Sequence, residues 1–105
     1  MDKQVKTVIE EEKLTAYIFG DIDHHSAKAI REVLDTELRR GSFSEFIIDM
    51  GGVTFTDSSG LGLVMGRYRL CESAGIKFSV ISVPSRVMQM FNMAGLERII
   101  EIKER

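Results

Sequence analysis

Two adjacent serines, Ser58 and Ser59, carry the hydroxyl chemistry that stands out in this chain, within Thr54-Phe55-Thr56-Asp57-Ser58-Ser59-Gly60. A hydrolase nucleophile at Ser58 would need the first glycine of a G-x-S-x-G elbow and a downstream histidine as base. Asp57-Ser58-Ser59-Gly60-Leu61 lacks that glycine, and the two histidines, His24 and His25, both precede the serine. A phosphate acceptor needs less. Asp57 or Ser58 is a natural helix N-cap, because a side-chain oxygen there accepts a hydrogen bond from an orphan amide of the first turn. Two serines need one cap between them, so the other hydroxyl is free. A phosphate on Ser58 would meet the positive end of the helix dipole and its free amides, so the fold should tolerate it despite repulsion from Asp57.

The other reactive side chains are fewer. Asp21 and Asp23 lie in Gly20-Asp21-Ile22-Asp23-His24-His25. Asp23 can cap the helix that follows, and both carboxylates suit basic groups on a partner. Adjacent helical histidines point about 100° apart and make a poor chelating pair; with no third histidine and a lone Cys71, no metal site is expected. No G-x-x-x-x-G-K-[ST] loop is present, so no cofactor is expected either. Met88, Met90, Phe91 and Met93 are too closely spaced for all to face a core, which makes Met90 a candidate contact residue, with Leu61 a second. Arg67 is read as a solvated helix residue or an interface pairing group.

These groups need a scaffold, and 105 residues provide one domain, 1–105, with a modest core. A composition of 44% hydrophobic and 29% charged residues is that of a folded globular chain. The formal charge of −2 leaves no basic excess for nucleic acid. No apolar run approaches the roughly 20 residues of a membrane span. Met1 to Lys6 contains no signal-peptide stretch, and the lone cysteine fits a reducing cytoplasm. A monomer is expected, since the domain can close its own core.

The elements alternate. Val5–Glu10 and Leu14–Phe19 read as strands joined by the turn Glu11-Glu12-Lys13, and Gly20 breaks the pattern. Ala27, Ile30, Val33, Leu34 and Leu38 predict a helix over 24–40, stopped by Gly41. Glu45–Met50 is a strand, followed by the loop Gly51-Gly52. A second helix runs from near Ser58 to Ser73 with Gly75 beyond it, Ile76–Val83 is the next strand, and Pro84-Ser85 opens a third helix over 86–93. The tail from Arg98 to Ile102 is a short strand or a helical extension. A hairpin followed by β-α-β-α-β-α predicts an α/β domain with a mixed sheet of four to five strands and helices packed against it. In such folds the loops at the carboxyl ends of the strands carry function, which selects the Asp21 and Ser58 loops.

Gly60, Gly62 and Gly66 crowd the start of the second helix, each at about 0.8–1.0 kcal/mol relative to alanine. Gly62 and Gly66 share a face with Ser59, Leu63 and Leu70, while Leu61, Val64, Met65 and Tyr68 form a second stripe. The glycines permit either tight internal packing or close approach by a partner; spacing does not choose between them.

Phe55-Thr56-Asp57-Ser58-Ser59-Gly60-Leu61-Gly62, followed by Gly66-Arg67-Tyr68, resembles the phosphorylation-site motif of bacterial anti-sigma factor antagonists of the STAS domain family. Gly20 to Ala27 resembles that family's first functional loop, and Phe91-Asn92-Met93-Ala94-Gly95-Leu96 its C-terminal helix and turn. The likeness covers nearly the whole chain in order, and the sporulation-type antagonists are the nearest in detail. It implies a partner-switching cycle. The unphosphorylated protein binds an anti-sigma factor that is also a serine kinase and frees the sigma factor; phosphorylation on Ser58 abolishes binding until a phosphatase restores it. It implies a binding protein and not an enzyme, with Asp21, Asp23, Asp57, Ser59, Leu61, Gly62 and Met90 at the partner surface. A STAS module of a general-stress or ligand-sensing pathway, with a different kinase, is the alternative.

Overall fold

The computed structural model describes residues 4–105; the part of the leader reading that concerns residues 1–3 lies outside them. Nine elements follow in order: β1 (Val5–Glu10), β2 (Lys13–Ile22), α1 (His24–Arg40), β3 (Glu45–Thr56), α2 (Ser58–Ala74), β4 (Lys77–Val83), α3 (Ser85–Met93), a 3-10 turn (Leu96–Arg98) and β5 (Glu101–Glu104). The strands form one mixed sheet in the order β1-β2-β3-β4-β5, with β1 antiparallel to β2 and the others parallel. The hairpin turns at Glu11-Glu12, where Glu11 takes a left-handed φ of 56°.

Each parallel crossover steps to the next strand in the same direction. Right-handed connections therefore put the helices on one face of the sheet. The burial alternation agrees. Leu14, Ala16 and Ile18 of β2 and Phe46, Ile48 and Met50 of β3 are fully buried, while Thr15, Tyr17, Ile47 and Asp49 between them are half-buried. Ile30 and Leu34 of α1, Leu63 and Val64 of α2, and Val87 and Phe91 of α3 pack onto that face, with Phe78, Val80 and Val83 of β4 extending it.

Two expected breaks are not breaks. Gly20 adopts φ 78° inside β2, which runs on through irregular pairing to Ile22, and β3 continues through Gly51-Gly52 to Thr56. Gly52 faces the ring of Phe19, where any Cβ would collide. The long β2–β3 ladder ends with Asp21 beside Phe55 and Ile22 beside Thr56, so the two candidate loops leave the sheet side by side. The tail resolves into both a helical turn and a strand, with β5 pairing β4.

Candidate functional site

Helix α2 starts at Ser58 because Asp57 caps it. The Asp57 backbone is extended, and its carboxylate accepts the Ser59 amide at 2.7 Å. The Gly60 amide donates to the Asp57 carbonyl at 3.1 Å. Neither serine is the cap. Ser58 is the first helical residue and is exposed, while Ser59 is half-buried. The Ser59 amide, one of those a Ser58 phosphate was expected to use, is therefore taken by the Asp57 carboxylate.

Asp23 caps α1 in the same way. Its carboxylate accepts the Ser26 amide at 2.8 Å, and the Ser26 hydroxyl accepts the Asp23 amide at 3.0 Å, closing a capping box. The Ser26 amide, then its hydroxyl, hold the Asp23 carboxyl below the ordinary carboxylate value. Asp21 is exposed at the end of β2, where its carboxylate accepts the Thr54 hydroxyl at 2.6 Å. The Asp57 amide donates to the Ile22 carbonyl at 3.2 Å. These two bonds join the loops, so the acidic loop residues Asp21 and Asp23 leave the sheet at the same end as Asp57 and Ser58, an acidic rim on that end of the domain.

Gln4 buttresses this rim from the hairpin. Its side-chain amide donates to the carbonyls of Phe19 and Asp21 at 3.0 and 2.7 Å, and its own carbonyl accepts the Phe19 amide. No local sequence pattern signals that role, because Gln4 and Asp21 meet only through strand pairing.

The glycines of α2 divide into two kinds. Gly60 is buried against Thr56, and a Cβ there would collide with the Thr56 side chain. At Gly62 and Gly66 a Cβ would meet nothing within 4 Å. Tight internal packing thus accounts for Gly60 and not for the other two. The face of α2 that packs inward is Gly60, Leu63, Val64, Arg67 and Cys71, one residue drawn from each expected stripe and more. Leu61 is half-buried, Gly62 exposed and Leu70 45% exposed.

Arg67 is neither solvated nor at an interface. It is 6% exposed, and its Nε lies 3.0 Å from Asp35 Oδ1 of α1. The pair sits off the hydrogen-bonding direction, so it is an ion pair only. Burial lowers the guanidinium pKa, and Asp35 opposes that shift. Cys71, one turn on, is buried, and desolvation pushes its thiol up to about 11. Met90 is half-buried, not exposed as expected, and shares a groove of about 570 Å³ with Phe55, Thr56 and Arg86. The exposed methionine of α3 is Met93, 90% accessible. Phe55, at 56% exposure, stands beside the Ser58 loop.

On the α1 side, His24, His25, Lys28 and Arg31 face Ser59 and Gly62 across a groove of about 410 Å³. No group of three or more His, Cys, Asp or Glu side chains suited to a metal ion occurs among the described residues. No helix among them is long and apolar enough to cross a membrane.

A family model for the STAS domain matches residues 4–105, the hairpin and both site loops included. The chain belongs to the STAS domain family. It is similar to the anti-sigma F factor antagonist of Paenibacillus polymyxa, 29% identical over 102 residues that cover 97% of this chain and 87% of the relative. It also resembles the anti-sigma-B factor antagonist of Staphylococcus aureus, 22% identical over 104 residues covering 99% and 95%. Among solved structures, the anti-sigma factor antagonist SpoIIAA in its unphosphorylated form superposes with a TM-score of 0.80 at 27% identity, covering 93% of this chain and 86% of that one. The phosphorylated form from Bacillus superposes with a TM-score of 0.74 at 26% identity, covering 93% and 89%. The α/β fold with a mixed sheet expected from the alternation of elements, and the STAS fold that the resemblance implied, are the fold adopted, with five strands in the sheet.

Proposed function

We propose that this STAS domain is an anti-sigma factor antagonist, switched by phosphorylation on Ser58. The unphosphorylated chain binds an anti-sigma factor that is also a serine kinase, and so frees the sigma factor. It is the kinase's substrate and not itself a catalyst, and a phosphoserine phosphatase resets it. The cycle is a cytoplasmic one.

One observation carries this reading: Ser58 is exposed at the first position of α2, while Asp57 holds the helix amide that a phosphate would otherwise use. A phosphoserine adds about −1.5 to −2 charges. The Ser59 amide is already held by Asp57, whose carboxylate adds its own negative charge beside the phosphate. The kinase must bring nucleotide phosphates against Ser58 to modify it, so the product faces like charge on both sides. Like-charge juxtaposition across an interface costs several kcal/mol, and reversing a 99:1 population needs about 5.5 kcal/mol. The two are of the same order, which is what a switch needs.

Asp21, Asp23 and Asp57 offer carboxylates to basic groups of the kinase, Gly62 and Ser59 allow close approach to α2, and Leu61 and Met90 supply apolar contact. The likeness to the anti-sigma F antagonist favours the sporulation-type cycle. A general-stress cycle with another kinase is the second reading, favoured by the similarity to the anti-sigma-B antagonist. Incubating the chain with each candidate kinase and Mg-ATP separates the two: the cognate kinase phosphorylates Ser58 and releases the product, and the other does neither.

A further inference from the structure

Next to the acidic loop residues, the groove that Ser59 lines carries charge of the opposite sign. Lys28 and Arg31 of α1 line the α1–α2 groove together with His24, and these positions recur at helical spacing along one edge of α1. The facing wall, from α2, is Ser59, Gly62 and Leu63, none of which carries charge. No carboxylate lines the groove. Asp35, the acid that follows on the same edge of α1, is held by Arg67 at 3.0 Å. Lys28 and Arg31 are both exposed, and neither makes an ion pair within the described chain. The whole chain has a formal charge of −2, so this is a local concentration of cations and not a reflection of a basic protein. The groove is also open at its α2 wall: a Cβ at Gly62 would meet nothing within 4 Å.

We propose that the α1–α2 groove is a docking site for an acidic segment of the partner kinase, with Lys28 and Arg31 pairing its carboxylates. The inference rests on the reading of Ser58 as the kinase's target. It makes the docking surface bipolar, negative at the rim of Asp21, Asp23 and Asp57 and positive along α1, with Ser58 between the two poles. A bipolar surface fixes orientation as well as attraction, because a partner turned end for end meets like charge at both poles. Ser58 is then delivered to the kinase in one pose.

The test is the association rate of the kinase that phosphorylates Ser58 with Lys28→Glu/Arg31→Glu, with Lys6→Glu on β1 as a control of equal sign. Both helix positions are exposed, so unchanged thermal unfolding verifies the fold. The expected result is an association rate lowered roughly ten-fold or more at low salt, converging on the parent as salt rises, with Lys6→Glu unaffected. The loss persists with nucleotide-free kinase, and Ser58 is still phosphorylated when kinase is saturating. Parent-like association of the double variant, or an equal loss in Lys6→Glu, overturns the proposal. A loss seen only with nucleotide-loaded kinase also overturns it, since the groove would then be reading nucleotide phosphates. If the parent chain is not phosphorylated on Ser58 at all, the reading beneath the proposal fails first, and that outcome is distinct from the others.

Discussion

Thr54 donates its hydroxyl to the Asp21 carboxylate at 2.6 Å, and that bond ties the end of β2 to β3 just upstream of Ser58. Thr54 and Asp21 are 33 positions apart in sequence and meet because β2 and β3 pair past the glycines that were expected to end them. The tie is exposed, so its stabilising effect is modest, but it holds Asp21 against the strand that leads to Ser58.

Thr54→Val keeps the β-branched shape and removes the donor. It should lower stability by about 1 kcal/mol, below the roughly 1.5–3 kcal/mol of a bond to a charged group because water can replace the donor at this exposed site. Phosphorylation of Ser58 should slow by more than this loss explains, since the rim loses its register. Urea unfolding gives the first quantity and initial-rate phosphorylation the second. Equal, small effects on both would mean that the tie is only structural.

Gly60 and Gly62 should respond oppositely to alanine. At Gly60 the new methyl collides with buried Thr56, a β-branched residue whose hydroxyl donates to the Asp57 carbonyl at 2.9 Å. Overpacking of that kind costs about 1–3 kcal/mol. At Gly62 nothing lies within 4 Å, so alanine should stabilise the free protein by up to about 0.8–1.0 kcal/mol through helix propensity. On the proposed function, Gly62→Ala is more stable and yet binds the kinase more weakly. Thermal unfolding beside kinase affinity tests the pair.

The Arg67–Asp35 pair should behave as a buried interaction between α1 and α2. Breaking a fully buried pair costs about 3–5 kcal/mol; Asp35→Ala should cost about 2–3 because the Asp35 side chain is 22% exposed. Arg67→Met, which removes the charge and keeps the volume, should be milder than Arg67→Ala. Chemical denaturation of the three variants checks the order.

Cys71 gives the alkaline limb of stability. Its folded thiol is raised to about 11 from a reference value of 9.0, so between those values the folded state holds the proton that the unfolded state has lost. This contribution is complete below pH 9 and falls away as pH rises towards 11. Asp23 works at the other end: its folded pKa is below 3.8, so its contribution is present above that value and lost as pH falls through the folded pKa. Cys71→Ser should flatten the alkaline limb and leave the acid limb unchanged, which stability measured against pH will show.

The order of elements was legible because each follows from local periodicity. Helix α1 runs from His24 to Arg40 as its apolar spacing requires, and Gly75, expected just beyond the second helix, closes it in the left-handed conformation. The strand ends were not legible, because glycine reads as a breaker. Gly20 and Gly52 instead serve the interior of the ladder, one by its φ and one by making room for Phe19. Local pattern also cannot say which charge goes inside. Arg67 is polar by type, and only the packing of α1 on α2, which brings Asp35 opposite, turns it into a buried residue. The same reason hides Gln4, whose partners are across a strand pair. The site was legible as a motif, Asp57-Ser58-Ser59-Gly60; the division of labour within it, cap to Asp57 and exposure to Ser58, needed three dimensions.

The most direct measurement is phosphopeptide mapping of the chain after incubation with the kinase and Mg-ATP, beside a Ser58→Ala control, with kinase binding followed in parallel. The account predicts a single phosphate on Ser58, none in the control, and loss of kinase binding as the phosphate accumulates. A phosphate on another residue, or stable binding with no phosphate at all, would contradict it and leave a STAS domain that binds its partner without this switch.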